Sequence, residues 1–380
     1  MKAAYRTRID EQNQPLPMFQ QWLQQLHIDF PLLVALFILA LTGIMVLFSA
    51  SGEDINAVHK QAVRLGVGFF VMLFLAQLSP QTLRRWSLPL FILTNILLIL
   101  VIYIGVEVKG AQRWLDLYIF RFQPSEMMKL VAPMALAWFL AEASLPPKII
   151  RLALSLVLLA IPVVLVVMEP DLGTSLLIAS SGFFVLFLAG LRWRILGGAT
   201  LVMGLMAWPV WLYVLHDYQR RRILTFLNPE NDPLGSGYHI IQSKIAIGSG
   251  GLFGKGWLNG TQSQLDFLPE RHTDFIFAVF SEEFGLIGAV MLILLYIFIV
   301  GRGMYIALQA QETYSRLLAG SISLTFFVYL FVNIGMVSGL LPVVGVPLPL
   351  ISYGGTSIVT LLAGFGILMS IHTHKKMLSP

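Results

Sequence analysis

Apolar runs of about 18 residues or more recur along almost the whole chain, and no other feature limits its fold so tightly. Within a bilayer every backbone N–H and C=O must find a partner inside the protein, so runs of this length form transmembrane α-helices. Hydrophobic residues make up 57% of the 380 and charged residues only 12%. That balance overrules the roughly two or three soluble domains that the length alone would suggest. The expectation is an all-α polytopic membrane protein with one helical body.

The runs predict about ten spans, at roughly 30–49, 62–78, 87–107, 125–143, 150–167, 173–190, 194–213, 274–300, 317–337 and 350–371. The first follows a polar stretch, 1–29, and no small-residue cleavage site comes after it, so it reads as a retained helix rather than a signal peptide. Ten spans put both tails, 1–29 and 372–380, on one side, with 30–371 as a single unit. Thirteen Lys and Arg fall on that side, Arg84, Arg85, Lys148, Arg151, Arg192 and Arg194 among them. The short loops opposite hold five, Lys60, Arg64, Lys109, Arg113 and Arg121. The excess makes the tails cytoplasmic. The net charge of +5 is read through this asymmetry and not as nucleic-acid affinity. No cysteine is present, which excludes disulfides, thiolate catalysis and Cys-ligated metal.

The seventh and eighth spans are joined by a long segment, about 214–273, that faces outward. Structureless loops of this length are uncommon, and Phe226, Tyr238 and Trp257 point to an ordered one. Its basic residues include Arg220, Arg221, Arg222, Lys244, Lys255 and Arg271. They lie near Tyr238, Ile241 and Ile245, spaced for one face of an interfacial helix. Such a surface is either simply solvated or suited to an anionic lipid headgroup, and arginine pairs well with pyrophosphate. The stretch "GGLFGKGW" is no Walker loop, because Ser249 and Gly256 stand where Gly and Ser or Thr belong. His239, His272 and Asp274 match no strong metal motif.

Three other outward segments carry unusual residues. In "VKGAQRWLDLYIFRFQPSEMMK" a helix start is written by Gln123, Pro124 and Glu126. Lys129 follows Glu126 by three residues, either as a local ion pair or as a cavity lining. An ionisable side chain at the centre of a span costs on the order of 2.5–3.5 kcal/mol, which favours an interior position. In "MEPDLGTS", Glu169 and Asp171 order a turn or cap the sixth span. The prolines and glycines of "GLLPVVGVPLPLISYGGTS" cannot make a continuous helix, so this segment is either an external loop or the lining of a wet cavity.

The stretch "FLPERHTDFIFAVFSEEFG", 267–285, packs Glu270, Arg271, His272 and Asp274 against the start of the eighth span. With a helix beginning near Thr273, Asp274 shares a face with Ser281, Gly285 and Gly288. That arrangement is either a cavity wall topped by a carboxylate or an acid answering the helix dipole. Glu283 points away from that face and has no role in this reading.

These motifs together resemble the SEDS (shape, elongation, division, sporulation) family, and the likeness runs from the first span to the end of the tenth. The resemblance implies a ten-helix peptidoglycan glycosyltransferase that polymerises lipid II on the outer face of the bacterial cytoplasmic membrane. Cell-wall elongation and rod-shape maintenance are the implied processes. The partners implied are a class B penicillin-binding protein and other membrane proteins of the elongation complex, with no nucleic acid. The family's essential acid falls on Asp274, its intracavity pair on Glu126 and Lys129, and its Arg-Trp on Arg113 and Trp114. No cofactor is firmly implied, and a divalent cation is compatible. Asp266 is given no role. A lipid II flippase is the competing class, and it would need polar lining through to the cytoplasmic side.

Overall fold

Prolines and short polar side chains set where the membrane-length helices begin. Asp29 accepts the Leu32 N–H at 3.0 Å and opens α1, Phe30–Ala50, with Pro31 in its first turn. Asp54 does the same through Asn56 N–H for α2, Ile55–Gln77, and Ser79 through Thr82 N–H for α3, Pro80–Ile104. The computed structural model describes residues 26–374 apart from 109–110, 117–120, 215–219, 221–223, 227, 229–235, 265–267 and 269.

After α3 comes a three-stranded antiparallel sheet, β1 (Val106–Val108), β2 (Ala111–Asp116) and β3 (Arg121–Phe122), in the order β1-β2-β3. The all-α expectation missed it, since its residues alternate over too few positions to stand out from the apolar background. The helices continue with α4 (Pro124–Ala141), α5 (Ile149–Met168), α6 (Leu172–Leu188) and α7 (Trp193–Pro209), which runs into a π-helical turn, Val210–Val214. Two helices follow in the long loop, α8 (Ser236–Ser249) and the single turn α9 (Thr261–Gln264). Then come α10 (Ile276–Gln309), α11 (Thr313–Val337) and α12 (Thr356–Thr373).

Eight of these helices are long and apolar enough to cross a membrane. Of the other two long ones, α6 is a shorter apolar helix and α4 carries Glu126 and Lys129 in its first turns. Several helices outrun the apolar runs that announce them. Thus α2 starts at Ile55, because Asn56, His59 and Lys60 continue the helix beyond its hydrophobic part.

The most buried of the long helices are α4 and α11, and no described side chain of α7 is buried. α12 lies close against α2, where a Cβ on Gly366 would meet the Met72 carbonyl oxygen at 2.4 Å. Both ends of the described chain meet at one end of the bundle. The His27 and His374 rings stack at 3.8 Å, and Asp29 accepts from Arg302 at 2.7 Å and from His372 at 2.8 Å. Burial works against the Asp29 charge, but these bonds and that from Leu32 outweigh it and hold its carboxyl well below the usual range.

At the opposite, loop-rich end α10 is broken. Gly285 has φ 67° and ψ −166°, a conformation open to glycine. The freed carbonyls of Glu282 and Glu283 accept the N–H groups of Lys255 and Gly256, each at 3.0 Å. In return Leu286 and Ile287 donate to the carbonyls of Gly251 and Leu252, at 2.9 and 3.1 Å. Gly254 must be small here, since a Cβ would sit 2.1 Å from the Glu283 carbonyl. The glycine-rich stretch is therefore a backbone clasp on a broken helix. Irregular backbone is tolerated because each broken bond is replaced.

Candidate functional site

Asp274 lies in a tight turn just before α10, whose first helical residue is Ile276. The helical face drawn from Asp274 through Gly285 and Gly288 therefore does not exist. Its start is two residues too early, and the break at Gly285 ends any regular periodicity. The turn is tied through Glu270, whose carbonyl accepts from Thr273 N–H at 3.1 Å and Phe275 N–H at 3.4 Å. The Thr273 hydroxyl lies 2.9 Å from the Glu270 carboxylate and secures the same turn.

Two distant segments hold this turn from above. Asn333 on α11 donates to the Asp274 carbonyl at 2.9 Å, the Ser352 hydroxyl to the Thr273 carbonyl at 2.6 Å, and the Tyr353 N–H to the His272 carbonyl at 2.8 Å. Consecutive carbonyls at 272, 273 and 274 are thus each fixed from outside the turn. The carboxylate faces Gly345, where a Cβ would lie 3.6 Å from Oδ2. The segment 338–355 is non-helical, as its prolines and glycines require. Its backbone is satisfied by side chains, with Tyr296 donating to the Pro349 carbonyl at 2.6 Å and Gln61 to that of Ser352 at 3.0 Å.

Glu126 and Lys129 form an ion pair of 2.6 Å, both nearly buried. Lys129 also sits over the Tyr329 ring, 5.0 Å from its centroid, and Thr360 lies 3.4 Å from the Glu126 carboxylate. A cavity of ≈ 30 Å³ adjoins the pair, lined by Lys129, Thr325, Tyr329, Thr360 and Gly364. It is room for about one water.

Arg113 straps β2 to the turn between α5 and α6. It donates to the Glu169 carbonyl at 3.3 Å and to that of Pro170, and lies 3.7 Å from the Asp171 carboxylate. Asp171 caps α6 through Thr174 N–H at 3.1 Å and accepts from Gln123 at 3.3 Å, next to the start of α4. Burial, with the neighbouring Asp171 charge, pushes the Glu169 carboxyl up to about 8 despite Arg113. Trp114 pairs across the sheet with Val106 and is half-buried.

In the long loop, Lys255 forms a 2.7 Å ion pair with the fully buried Glu282, which also accepts from Thr261 at 3.1 Å and Gln262 N–H at 3.0 Å. Glu283 receives the Ser49 hydroxyl and the Leu258 N–H, so the carboxylate with no role in the sequence reading pins the loop to α1. Arg220 donates to the Leu212 carbonyl at 2.8 Å. Arg271 and His272 sit on the Asp274 turn itself, the imidazole edge-on to Tyr353 at 6.0 Å. Arg221, Arg222 and Asp266 lie outside the described residues. α8 buries Ile240, Ser243 and Ala246 and turns Ile245 outward, so Tyr238, Ile241 and Ile245 mark its less buried face. Among the described residues no three His, Asp or Glu side chains gather as a metal site.

Sequence reasoning did not find Asn333, Ser352 or Gln61. Only Asn333 carried a usable signal, an amide in an otherwise apolar span.

Residues 30–377 match the family model FTSW_RODA_SPOVE, described as cell cycle protein. The chain is 54% identical over 355 residues to the peptidoglycan glycosyltransferase MrdB of Escherichia coli K12, covering 93% of this chain and 96% of that one. It is 36% identical to the stage V sporulation protein E of Bacillus subtilis, covering 91% and 97%. Two solved structures share the fold. One, from work on structural coordination of polymerization and crosslinking by a peptidoglycan synthase complex, has a TM-score of 0.80 and 34% identity over 90% of this chain and 97% of that one. The other, the rod shape determining protein RodA of Thermus thermophilus, has a TM-score of 0.70 and 31% identity over 92% and 98%. With its membrane helices, non-helical 338–355 segment and clamped Asp274 turn, this chain belongs to the FtsW/RodA/SpoVE family, the SEDS proteins that its motifs resemble.

Proposed function

We propose that the chain is a peptidoglycan glycosyltransferase that polymerises lipid II in cell-wall elongation and rod-shape maintenance. Its loop-rich end faces the periplasm and both tails face the cytoplasm. The observation that carries the reading is the Asp274 turn, whose three successive carbonyls are each held from another part of the fold. A carboxylate fixed in this way suits a positioned general base.

In this reading Asp274 takes the proton of a sugar 4-hydroxyl as that oxygen attacks the anomeric carbon of a second lipid II. The bond from that carbon to the pyrophosphate breaks, and its electron pair leaves with the lipid pyrophosphate. The proton passes on to solvent. A base of this kind contributes about 10²–10⁴ in rate. The leaving group is already good, so the second carboxylate of glycoside hydrolysis is not needed.

Arg271, beside Asp274, and Arg220, Arg221 and Arg222 supply positive charge toward the pyrophosphate, and His272 offers a hydrogen-bonding group beside them. Arg113 and Trp114 shape the rim, and Glu126 with Lys129 set the polar interior. Lys255, paired with Glu282, serves by holding the loop. Likeness to a chain from a peptidoglycan synthase complex supports a class B penicillin-binding protein as partner, alongside other elongation-complex membrane proteins.

The test is purified protein with labelled lipid II, with and without the transpeptidase. Long glycan from the wild type and none from a folded, partner-competent Asp274→Asn is expected. Near-normal glycan from the variant would move the base elsewhere, with Glu270 or Asp266 next. Translocation of lipid II across a vesicle without any lengthening would make the protein a transporter instead.

A further inference from the structure

Arg64 stands nine residues into α2, a helix long and apolar enough to cross a membrane. There the hydrophobic part of α2 begins, and Arg64 is half-buried against the 338–355 segment. Its guanidinium lies over the Tyr353 ring, 4.5 Å from the centroid, and within 3.5 Å of the Gly354 carbonyl. One turn earlier, Gln61 bonds the carbonyl of Ser352 at 3.0 Å and the N–H of Gly354 at 3.4 Å. Residues 352–354 are thus braced against α2.

The same residues also hold the Asp274 turn, through the Ser352 hydroxyl and the Tyr353 N–H. Cation and catalytic turn are therefore built on one shared three-residue clamp, and the Tyr353 ring meets both Arg64 and His272. Among the described residues no carboxylate comes within ion-pair distance of Arg64. By contrast Arg302 is neutralised by Asp29, Arg113 faces Asp171, and Arg121 faces Asp116. A ring face and one carbonyl orient the guanidinium without cancelling its charge, and they leave most of its five donors uncommitted. Such a fork suits two phosphate oxygens at once.

We infer that Arg64 binds the diphosphate of the polyprenyl-linked donor and stabilises the charge it gains as the glycosyl bond breaks. The inference rests on the glycosyltransferase reading and adds a residue on α2, away from the long loop. It makes Arg64 a substrate contact, with Tyr353 and Gly354 as the groups that aim it.

The experiment uses the full chain with its transpeptidase and compares Arg64→Gln, Arg64→Lys and Asp274→Asn. Two readouts are taken, glycan synthesis from labelled lipid II and inhibition by added undecaprenyl pyrophosphate. Arg64→Gln should lower kcat/KM by about 10²-fold, the scale of losing one charge-stabilising donor. It should weaken inhibition by the pyrophosphate lipid as well, while Arg64→Lys recovers part of both. Unchanged inhibition with Arg64→Gln overturns the proposal, whether activity is kept or lost, since loss alone would mean only a broken clamp. Activity retained in Asp274→Asn would instead count against the reading beneath it.

Discussion

Asn333 uses both hydrogens of its side-chain amide on backbone carbonyls, that of Asp274 at 2.9 Å and that of Val346 at 2.8 Å. It is fully buried, and it joins α11 to two segments that are otherwise separate in sequence. One side chain therefore sets the distance between the Asp274 turn and the segment its carboxylate faces.

Asn333→Ala should misplace the acid without removing it. Each carbonyl left unpaired costs about 1–3 kcal/mol, and a displacement near 1 Å at a reacting centre costs about 10²-fold in rate. The expected outcome in a lipid II polymerisation assay is a fall in kcat with little change in KM. An equal loss in both would mean that Asn333 supports binding instead.

Glu169 gives a pH dependence of known sign. Its carboxyl is raised from 4.5 to about 8. Between those values the unfolded chain would carry the ionised form while the folded chain keeps the proton. Rising pH thus favours unfolding across that window, by about 1.4 kcal/mol per pH unit at most, and has no further effect above it. Glu169→Gln removes the ionisation, so its thermal midpoint in detergent should gain on the wild type from pH 5 to 8 and then run parallel. A constant difference across the range would show that Glu169 is ionised in the fold.

Lys255 and Glu282 should behave as a structural pair. Breaking a buried ion pair costs roughly 3–5 kcal/mol, and the partly exposed Lys255 places Lys255→Met near the lower end. Cleavage of 250–264 by protease should speed up in either single variant, and a double replacement by apolar residues should restore protection. If Lys255→Met changes lipid II affinity while protection stays normal, the charge serves the substrate.

The sequence and the structure agree most closely where the physics is local. Apolar length finds the helices, Asp171 marks the start of α6 as its turn suggests, and the prolines of 338–355 exclude a helix there. The caps Asp54 and Ser79, by contrast, lie well before the apolar runs and escape notice. Asp274 and the Glu126–Lys129 pair stand out because charge is costly at membrane depth. What stays hidden depends on distant backbone. Ser352 meets Thr273 across 79 residues, and Gln61 meets Ser352 across 291. Neither pairing leaves a periodic trace. The helical face assigned to Asp274 failed for a related reason, since a single glycine angle at Gly285 resets the phase of the whole helix. The sheet escaped notice because β1 and β3 have only three and two residues, and β2, with six, is too short for its alternation to stand out from the apolar background.

Gly285 also divides the load paths of α10. Below it the long stem is gripped by the bundle. Above it the buried turns from Ile276 join the loop through the Glu282 and Glu283 carbonyls, and below it Leu286 and Ile287 join the same loop, so the four bonds span the break. The glycine clasp thereby splints the break, and the outer turns that lead to the Asp274 bend are held to the stem through the loop as well as through Gly285. A displacement of the loop from outside is therefore carried to both halves of the 34-residue helix at once.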